Sequence, residues 1–226
     1  MTVQPLARVQ IADIALDLFL ARGYDAVSAA DIARAAGVSR STFFRQFGAK
    51  EDVIFADHDE TVAALEAHLA ERARTGSTDA WDDVVSGAML VLDRFLDRLD
   101  SIRRRDDVVR RTPALRDREI VTITRYDRAF DRHLRARLPA VSPIRTVQFA
   151  DAVAATHNAV LRRVLRDGLG PADARDRLAR ELADLRARLV DGDAGAGESV
   201  VVAFRSSLPL AELDRRLRKL GDPDRI

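Results

Sequence analysis

Cysteine is absent from this chain of 226 residues, which excludes disulfide bonds, a cysteine nucleophile and thiolate zinc sites. No uncharged apolar run approaches the ~18 residues of a membrane span, and the first ten residues do not form a signal peptide. The four histidines have no metal-binding or catalytic spacing, and no phosphate-binding loop or serine-nucleophile motif is present. We therefore expect a cytoplasmic protein without a membrane span, a metal or a cofactor, and not an enzyme.

Lysine is scarce, since Lys50 and Lys219 are the only two among 37 basic residues. The basic residues are nearly balanced by 36 acidic ones, so the net charge of +1 does not indicate a nucleic-acid-binding protein. Positive charge is concentrated locally, because the segment from Ser39 to Lys50 carries Arg40, Arg45 and Lys50 and no acidic residue. Such a focal cluster is sufficient to contact several DNA phosphates.

Apolar residues recur with helical spacing along almost the whole chain, which predicts an all-α fold. Residues 103–111 form a polar, arginine-rich segment between two of the predicted helices. Residues 191–199 resemble a linker, and the β-branched run from Val200 to Phe204 predicts a short strand before a last helix. Helices are predicted up to Gly23, from Ser28 to Gly37, and over about 39–46, 49–74, 79–99, 114–138, 144–166 and 171–190.

Two short helices within residues 29–47 meet at Gly37, where glycine allows the positive φ of a tight turn between crossed helices. On the second helix, Phe43 and Phe47 lie one turn apart and are predicted to anchor it in the core. A helix with donors on its exposed face is suited to reading base edges in the major groove. The alternative is a three-helix bundle with merely solvated charges. The predicted donors are Arg40, Ser41, Thr42, Arg45 and Gln46.

Residues 8–54, RVQIADIALDLFLARGYDAVSAADIARAAGVSRSTFFRQFGAKEDVI, resemble the DNA-binding domain of the TetR family of transcriptional regulators. The portion VSRSTFFRQFGAKEDV is the most specific part, whereas residues 55–190 resemble the family only in helical layout. The resemblance implies a helix-turn-helix DNA-binding domain over 1–54, a helical effector-binding and dimerisation domain over 55–190, and a linker with a C-terminal strand-helix extension over 191–226. It also implies a homodimer, most plausibly a repressor, that a small molecule releases from a palindromic operator of double-stranded DNA.

Position by position, the resemblance assigns DNA contacts to the second and third helices and to the start of the fourth. Phe44 stands where the family usually has tyrosine, so a hydroxyl-to-phosphate bond is absent there. The resemblance implies phosphate contacts at Ser28, Thr42, Phe44, Gln46 and Lys50 and base contacts at Arg40, Ser41 and Arg45, and the predicted cap Ser39 completes the DNA-binding set.

The resemblance further implies that the last two family-like helices form the dimer interface and that the effector pocket lies among helices within residues 79–165. The leucine stripe of the final helix, which includes Leu178 and Leu182, is predicted to lie in that interface, although it can equally bury the protomer's own core. Apolar residues within 89–130 favour a hydrophobic effector. The candidate polar pocket residues are Trp81, Arg125, Tyr126, His133, His157 and Asn158.

Two charged segments near the predicted pocket allow alternatives. The arginine-rich segment 103–111 is either a solvated face or a site for the anionic headgroup of an acyl-CoA or fatty acid. The run Asp57-His58-Asp59-Glu60 lacks histidines at i and i+4, so we assign it to the interdomain joint rather than to a metal, with His58 toward the effector. Other functions are an architectural DNA-binding dimer without an effector or, less favoured, an enzyme on a helical scaffold.

Overall fold

The structure is a computed structural model that describes residues 7–191. These residues form nine α-helices and one 3-10 helix and contain no strand, as the all-α prediction expects. The predicted linker from residue 192, the strand Val200–Phe204 and the final helix lie outside the described residues. The elements are α1 (Arg8–Arg22), α2 (Ala29–Ala35), α3 (Arg40–Phe47), the 3-10 helix (Val53–Phe55), α4 (Ala56–Arg74), α5 (Ala80–Leu96), α6 (Leu99–Arg111), α7 (Pro113–Arg137), α8 (Pro143–Arg166) and α9 (Pro171–Leu189).

Two elements differ from the prediction. The fourth α-helix begins at Ala56 rather than near residue 49, because the preceding 3-10 turn places three successive apolar side chains in the core beside α1. The arginine-rich segment is part of an amphipathic helix, α6. Its buried residues Ile102, Arg105 and Val108 recur at helical spacing, and an arginine in that stripe concealed the pattern.

The described residues have two apolar clusters. The smaller one is built from α1, α2, α3 and the 3-10 helix, and it is completed by Val108 and Val109 of α6 and Leu115 of α7. The larger one joins α4, α5, α7, α8 and α9, and α6 contributes Ile102 to it. Helix α6 therefore contacts both cores, and this position decides how the candidate site is built.

Helices α4 and α5 approach closely at Gly87. A Cβ atom added there would lie 2.7 Å from Cδ1 of Leu65 and 3.3 Å from Cε1 of Phe130. A side chain at this position would force Leu65 to move within the core, which favours glycine here although glycine is unfavourable inside a helix. The close packing brings α4, α5 and α7 together around one end of the larger core.

Candidate functional site

Helices α2 and α3 begin at side-chain caps and cross at a glycine turn. Ser28 Oγ accepts the Asp31 backbone N–H at 3.1 Å, and Asp31 Oδ2 accepts the Ser28 N–H at 3.0 Å, which forms a capping box. The Ser28 hydroxyl also donates to Asp31 Oδ2 at 2.6 Å, and the hydrogen bonds from the Ser28 hydroxyl and backbone N–H hold the pKa of Asp31 below its usual value. Ser39 Oγ accepts the Thr42 N–H at 3.0 Å, and Gly37 takes a φ of 66° between the helices. Local sequence signals thus fix the geometry of the pair.

Helix α3 has one buried and one exposed side, as its sequence predicts. The rings of Phe43 and Phe47 are buried with centroids 5.0 Å apart. Phe44 is 38% exposed and lies under the guanidinium of Arg40, 5.6 Å from its ring centroid. This contact supports the Arg40 side chain without consuming its hydrogen-bond donors. Of the other predicted contact residues, Ser28, Ser39, Ser41 and Arg45 are exposed, whereas Thr42 and Gln46 are half-buried.

Lys50 lies before the 3-10 helix and not at the N-terminus of α4. Its Nζ donates to the carbonyl oxygens of Tyr24 at 3.1 Å and Val27 at 3.0 Å, and it lies 3.7 Å from the Tyr24 ring centroid. Two of the three ammonium donors are therefore used to join the turn after α1 to the turn after α3. Only the third N–H donor of Lys50 remains for the predicted contact with a DNA phosphate.

A cavity of about 80 Å³ lies between α4, α5, α6, α7 and α8. Most of its wall is apolar. The charged side chains of the wall lie on α6, on the first half of α7 and at the end of α8. The lining residues are His58, Ala88, Val91, Phe95, Ile102, Arg105, Asp106, Glu119, Ile123, Tyr126, Phe130, Ala154, His157, Asn158, Leu161, Arg162, Leu165 and Arg166.

Three of the predicted pocket residues, Tyr126, His157 and Asn158, line this cavity, and three do not. Trp81 packs its ring edge against Phe149, with centroids 4.9 Å apart. Arg125 pairs with Asp59 at 2.5 Å, and His133 contacts the buried Asp83 at 3.0 Å. These three residues were predicted because they are polar or amphipathic side chains within apolar helices. In the structure their rings or polar atoms make contacts outside the cavity.

His58 of α4 lies in the cavity wall, on the side that the sequence analysis assigned to the effector. Its Nδ1 is 2.9 Å from the hydroxyl of Tyr126, and its ring lies 5.4 Å from that of Phe95. Burial, together with the nearby charge of Arg105, lowers the pKa of His58 to about 3, so the imidazole is neutral at physiological pH. The pair is therefore a neutral hydrogen bond within the wall.

Arg105 forms a buried ion pair at the inner end of the cavity. Its guanidinium donates to the carboxylate of Asp57 and, at 3.3 Å, to the carbonyl oxygen of Ile54. Burial alone would raise the pKa of Asp57, but the charge of Arg105 outweighs it and the pKa lies below its usual value. Glu119, in the same wall, has its pKa raised, mainly by burial. Asp57 is therefore charged, and Arg105 connects the cavity to the 3-10 helix of the N-terminal core.

The run 57–60 does not assemble a metal site. Asp57 is committed to Arg105, and Asp59 pairs with Arg8 at 2.7 Å and with Arg125 at 2.5 Å. No group of three or more candidate ligand side chains occurs anywhere in residues 7–191. Within the same range, every helix is too short or too polar to cross a membrane.

Residues 11–56 match a protein family described as bacterial regulatory proteins, tetR family. This match covers the helix-turn-helix and the 3-10 helix that follows it. The chain is 36% identical over 107 residues to the putative mycofactocin biosynthesis transcriptional regulator MftR of Mycobacterium tuberculosis. That match covers 46% of this chain and 52% of the relative, so the chain spans about half the length of this curated relative.

Solved structures of TetR-family regulators share the fold of the described residues. A putative TetR-family transcriptional regulator from Syntrophomonas wolfei aligns over 81% of this chain and 94% of its own, with a TM-score of 0.61 and 16% identity. FadR of Thermus thermophilus, a TetR-family transcriptional repressor in complex with lauroyl-CoA, aligns over 88% of this chain and 100% of its own. Its TM-score is 0.54 and its identity 20%. At these identities the likeness establishes the TetR fold alone.

Among the five charged residues of the cavity wall, which include Asp106, Arg162 and Arg166, sequence reasoning singled out neither Arg105 nor Glu119. Both lie in segments rich in arginine and acidic residues, where charge normally indicates a solvated surface. The only local signal for Arg105 is its spacing from Ile102 and Val108, which places it on the buried face of α6. No comparable signal exists for Glu119.

Proposed function

We propose that this chain is a homodimeric, ligand-responsive regulator of transcription that represses from a palindromic operator and is released by a small, mainly apolar effector. The observation that carries this proposal is the build of α3, with two buried phenylalanines on one side and exposed arginines on the other. A short helix anchored in this way can enter the major groove and present donors to base edges.

Arg40 and Arg45 are the proposed base-reading residues. Both are exposed on α3, and arginine makes bidentate hydrogen bonds to guanine in the major groove. Ser28 and Ser39 sit at the N-termini of α2 and α3, where backbone N–H groups and the helix dipole favour a phosphate. In this proposal the arginines contact the bases, and the serines at the helix N-termini contact the DNA phosphates and position the two helices.

The proposed dimer uses surfaces of α8 and α9 other than the predicted leucine stripe. Leu178 and Leu182 are fully buried in the protomer's own core, so they are not available to a partner. Helix α8 exposes Ile144, at 69% of its surface, and Val147, and α9 exposes small residues such as Ala183. Two copies joined by these faces would present two α3 helices to one face of DNA, about 34 Å or a multiple apart.

Helix α6 is the proposed connection between effector and DNA. It lines the cavity through Arg105, which also holds the Ile54 carbonyl at 3.3 Å. One turn of α6 is tied to α1 by the Arg104–Asp17 ion pair at 2.5 Å. The cavity of about 80 Å³ is smaller than the 300–1,000 Å³ of ordinary ligand pockets, so an effector must displace part of the wall. A displaced α6 would carry α1, and with it the helix-turn-helix.

The DNA-binding proposal is tested with an operator selected from random duplex by the full chain. We expect an inverted repeat to be enriched, and we expect Arg45→Ala or Arg40→Ala to reduce discrimination against scrambled duplex by about 1–3 kcal/mol. Arg132→Ala, on the exposed surface of α7, is the control and should leave discrimination unchanged. Enrichment of no inverted repeat, or wild-type selectivity in both α3 variants, would reject the assignment.

The small cavity is the one observation that favours the second candidate, an architectural DNA-binding dimer without an effector. Thermal unfolding of the full chain against a panel of small molecules, including fatty acids and acyl-CoAs, separates the two candidates. A ligand that binds only the folded state raises its stability in proportion to RT ln(1 + [L]/Kd). The regulator is stabilised by at least one class of compound that also weakens operator binding, whereas an architectural protein responds to none.

A further inference from the structure

His157 places a hydrogen-bond acceptor without a partner in the cavity wall. The side chain is 5% exposed, and its Nδ1 lies 3.4 Å from the amide oxygen of Asn158. Because that oxygen only accepts, Nδ1 carries the proton and Nε2 is left with a lone pair. Nε2 is buried and has no hydrogen-bond partner among the described residues. A buried acceptor of this kind is stabilised by whatever donates to it.

Protonation of His157 does not relieve this deficit at physiological pH. Burial lowers its pKa to about 4, so the imidazole is neutral and Nε2 can only accept. A carboxylate also only accepts hydrogen bonds, so its oxygen lone pair would face the lone pair of Nε2 and repel it. A hydroxyl or N–H group would instead complete the hydrogen bond. The wall therefore distinguishes ligands by whether they donate.

Three arginines line the remaining wall, Arg105, Arg162 and Arg166, and acidic groups offset their charge. Arg105 is paired with Asp57, and Arg166 is paired with Asp106 at 2.7 Å. Glu119 adds a carboxyl group to the same end of the cavity. Around His157 the surface is apolar, with the Phe95 ring centroid 6.0 Å away and further aliphatic and aromatic side chains beyond it.

We propose that this cavity binds a compact, uncharged molecule with an apolar body and one O–H or N–H group, of the phenol and short-alcohol class, which donates to Nε2 of His157. This inference rests on the proposed function, because that function makes the cavity an effector site, and it narrows the effector to donors. The volume of about 80 Å³ is about half the roughly 150 Å³ of a cavity that holds benzene, so the ligand must be compact and must still displace part of the wall. A fatty-acid carboxylate is disfavoured by the same chemistry, and an acyl-CoA is disfavoured by its size.

The test compares the binding of three aromatic probes of similar shape to the full chain. Phenol can donate a hydrogen bond, benzoate can only accept one, and toluene can do neither. Calorimetric titration should show phenol binding about tenfold tighter than toluene, with benzoate weakest. Histidine-labelled protein should show a shift of the His157 Nε2 resonance with phenol and not with toluene. Equal affinities for phenol and toluene, or a preference for benzoate, would overturn the inference.

Substitutions at His157 test whether the preference for phenol over toluene depends on its Nε2 atom. His157→Phe keeps an aromatic ring and removes the acceptor, so phenol should lose its tenfold advantage while toluene binds as before. His157→Leu serves the same purpose if the larger ring disturbs packing. His68→Phe is the matched control, because His68 Nε2 already contacts Ser86 Oγ at 2.9 Å and does not line the cavity. An advantage for phenol that survives in both His157 variants would refute the role of Nε2.

The outcome is separable from that of the proposed function. If an acyl-CoA or fatty acid, and not phenol, binds and releases operator DNA, the donor inference fails while the effector-responsive regulator stands. If no probe binds although operator selectivity is intact, the donor inference fails and the architectural dimer is favoured. If phenol binds and the His157 variants lose it, the inference holds.

Discussion

The buried ion pair between Asp57 and Arg105 should be one of the most sensitive points of the structure. Asp57 is 8% and Arg105 6% exposed, and the guanidinium also donates to the Ile54 carbonyl at 3.3 Å. Asp57→Asn keeps the shape of the side chain but leaves the arginine charge buried without a counter-charge. Removing one partner of a buried pair in this way costs about 3–5 kcal/mol. We expect the free energy of unfolding to fall by that amount, against typical totals of about 5–15 kcal/mol.

The assay is urea unfolding at a fixed protomer concentration, followed by the fluorescence of Trp81, the only tryptophan. Asp59→Asn is the matched control: Asp59 pairs with Arg8 and Arg125, but all three side chains are at least 38% exposed, so the expected loss is below about 1 kcal/mol. The double variant Asp57→Leu/Arg105→Met should recover most of the stability, because both buried charges are then removed. Equal losses in Asp57→Asn and Asp59→Asn would refute the reasoning.

The pH dependence of the same pair has a definite sign. The pKa of Asp57 is lower in the folded protein than its ordinary value of 3.8, so folding favours the ionised carboxylate. Its contribution to stability is therefore complete above the ordinary value and is lost as the pH falls through the lower value of the folded state. The stability difference between wild type and Asp57→Asn should be constant near neutrality and should shrink only below pH 3.8.

Four further variants probe the two sides of α3, the contact between α4 and α5, and the turn at Lys50. Phe43→Ala should cost about 3–5 kcal/mol in urea unfolding because the ring is fully buried, whereas the half-exposed Phe44→Ala should cost far less and chiefly weaken operator binding. Gly87→Ala should destabilise by about 1–3 kcal/mol despite alanine's better helix propensity, because its Cβ meets Leu65; a gain in stability would contradict this. Lys50→Ala should lower stability by removing two bonds to carbonyls, and should reduce the salt slope of DNA binding by about 0.9 only if the third donor reaches a phosphate.

The helix-turn-helix is predictable from sequence because its determinants are local. Ser28 and Ser39 cap helices within three residues of themselves, and Gly37 has the positive φ that its place in the turn requires. Phe43 and Phe47 form their contact one helical turn apart. Each feature depends on residues within a few positions, so the pattern of residue types specifies the local geometry.

The cavity is not predictable in the same way because its wall joins residues distant in sequence. His58 of α4 meets Tyr126 of α7, and Asp57 meets Arg105 of α6, which no local pattern encodes. The stripe that contains Leu178 was ambiguous for a related reason. A protomer core and a dimer interface bury the same apolar side chains, so periodicity shows that the face is covered but not by which chain.

Under the proposed function, the packing of α6 would couple a ligand in the cavity to the N-terminal helices. A ligand that exceeds the cavity must displace one of its walls. Helix α8 is held by many buried residues of the larger core, Phe149 and Val153 among them, whereas α6 contributes one buried residue, Ile102, and the half-buried Leu99. The more weakly held wall moves first, and α6 is also bound to the N-terminal core through Val108 and Val109. A ligand alters DNA affinity only to the extent that it prefers the displaced arrangement, and a ligand larger than the cavity has that preference because it fits only there.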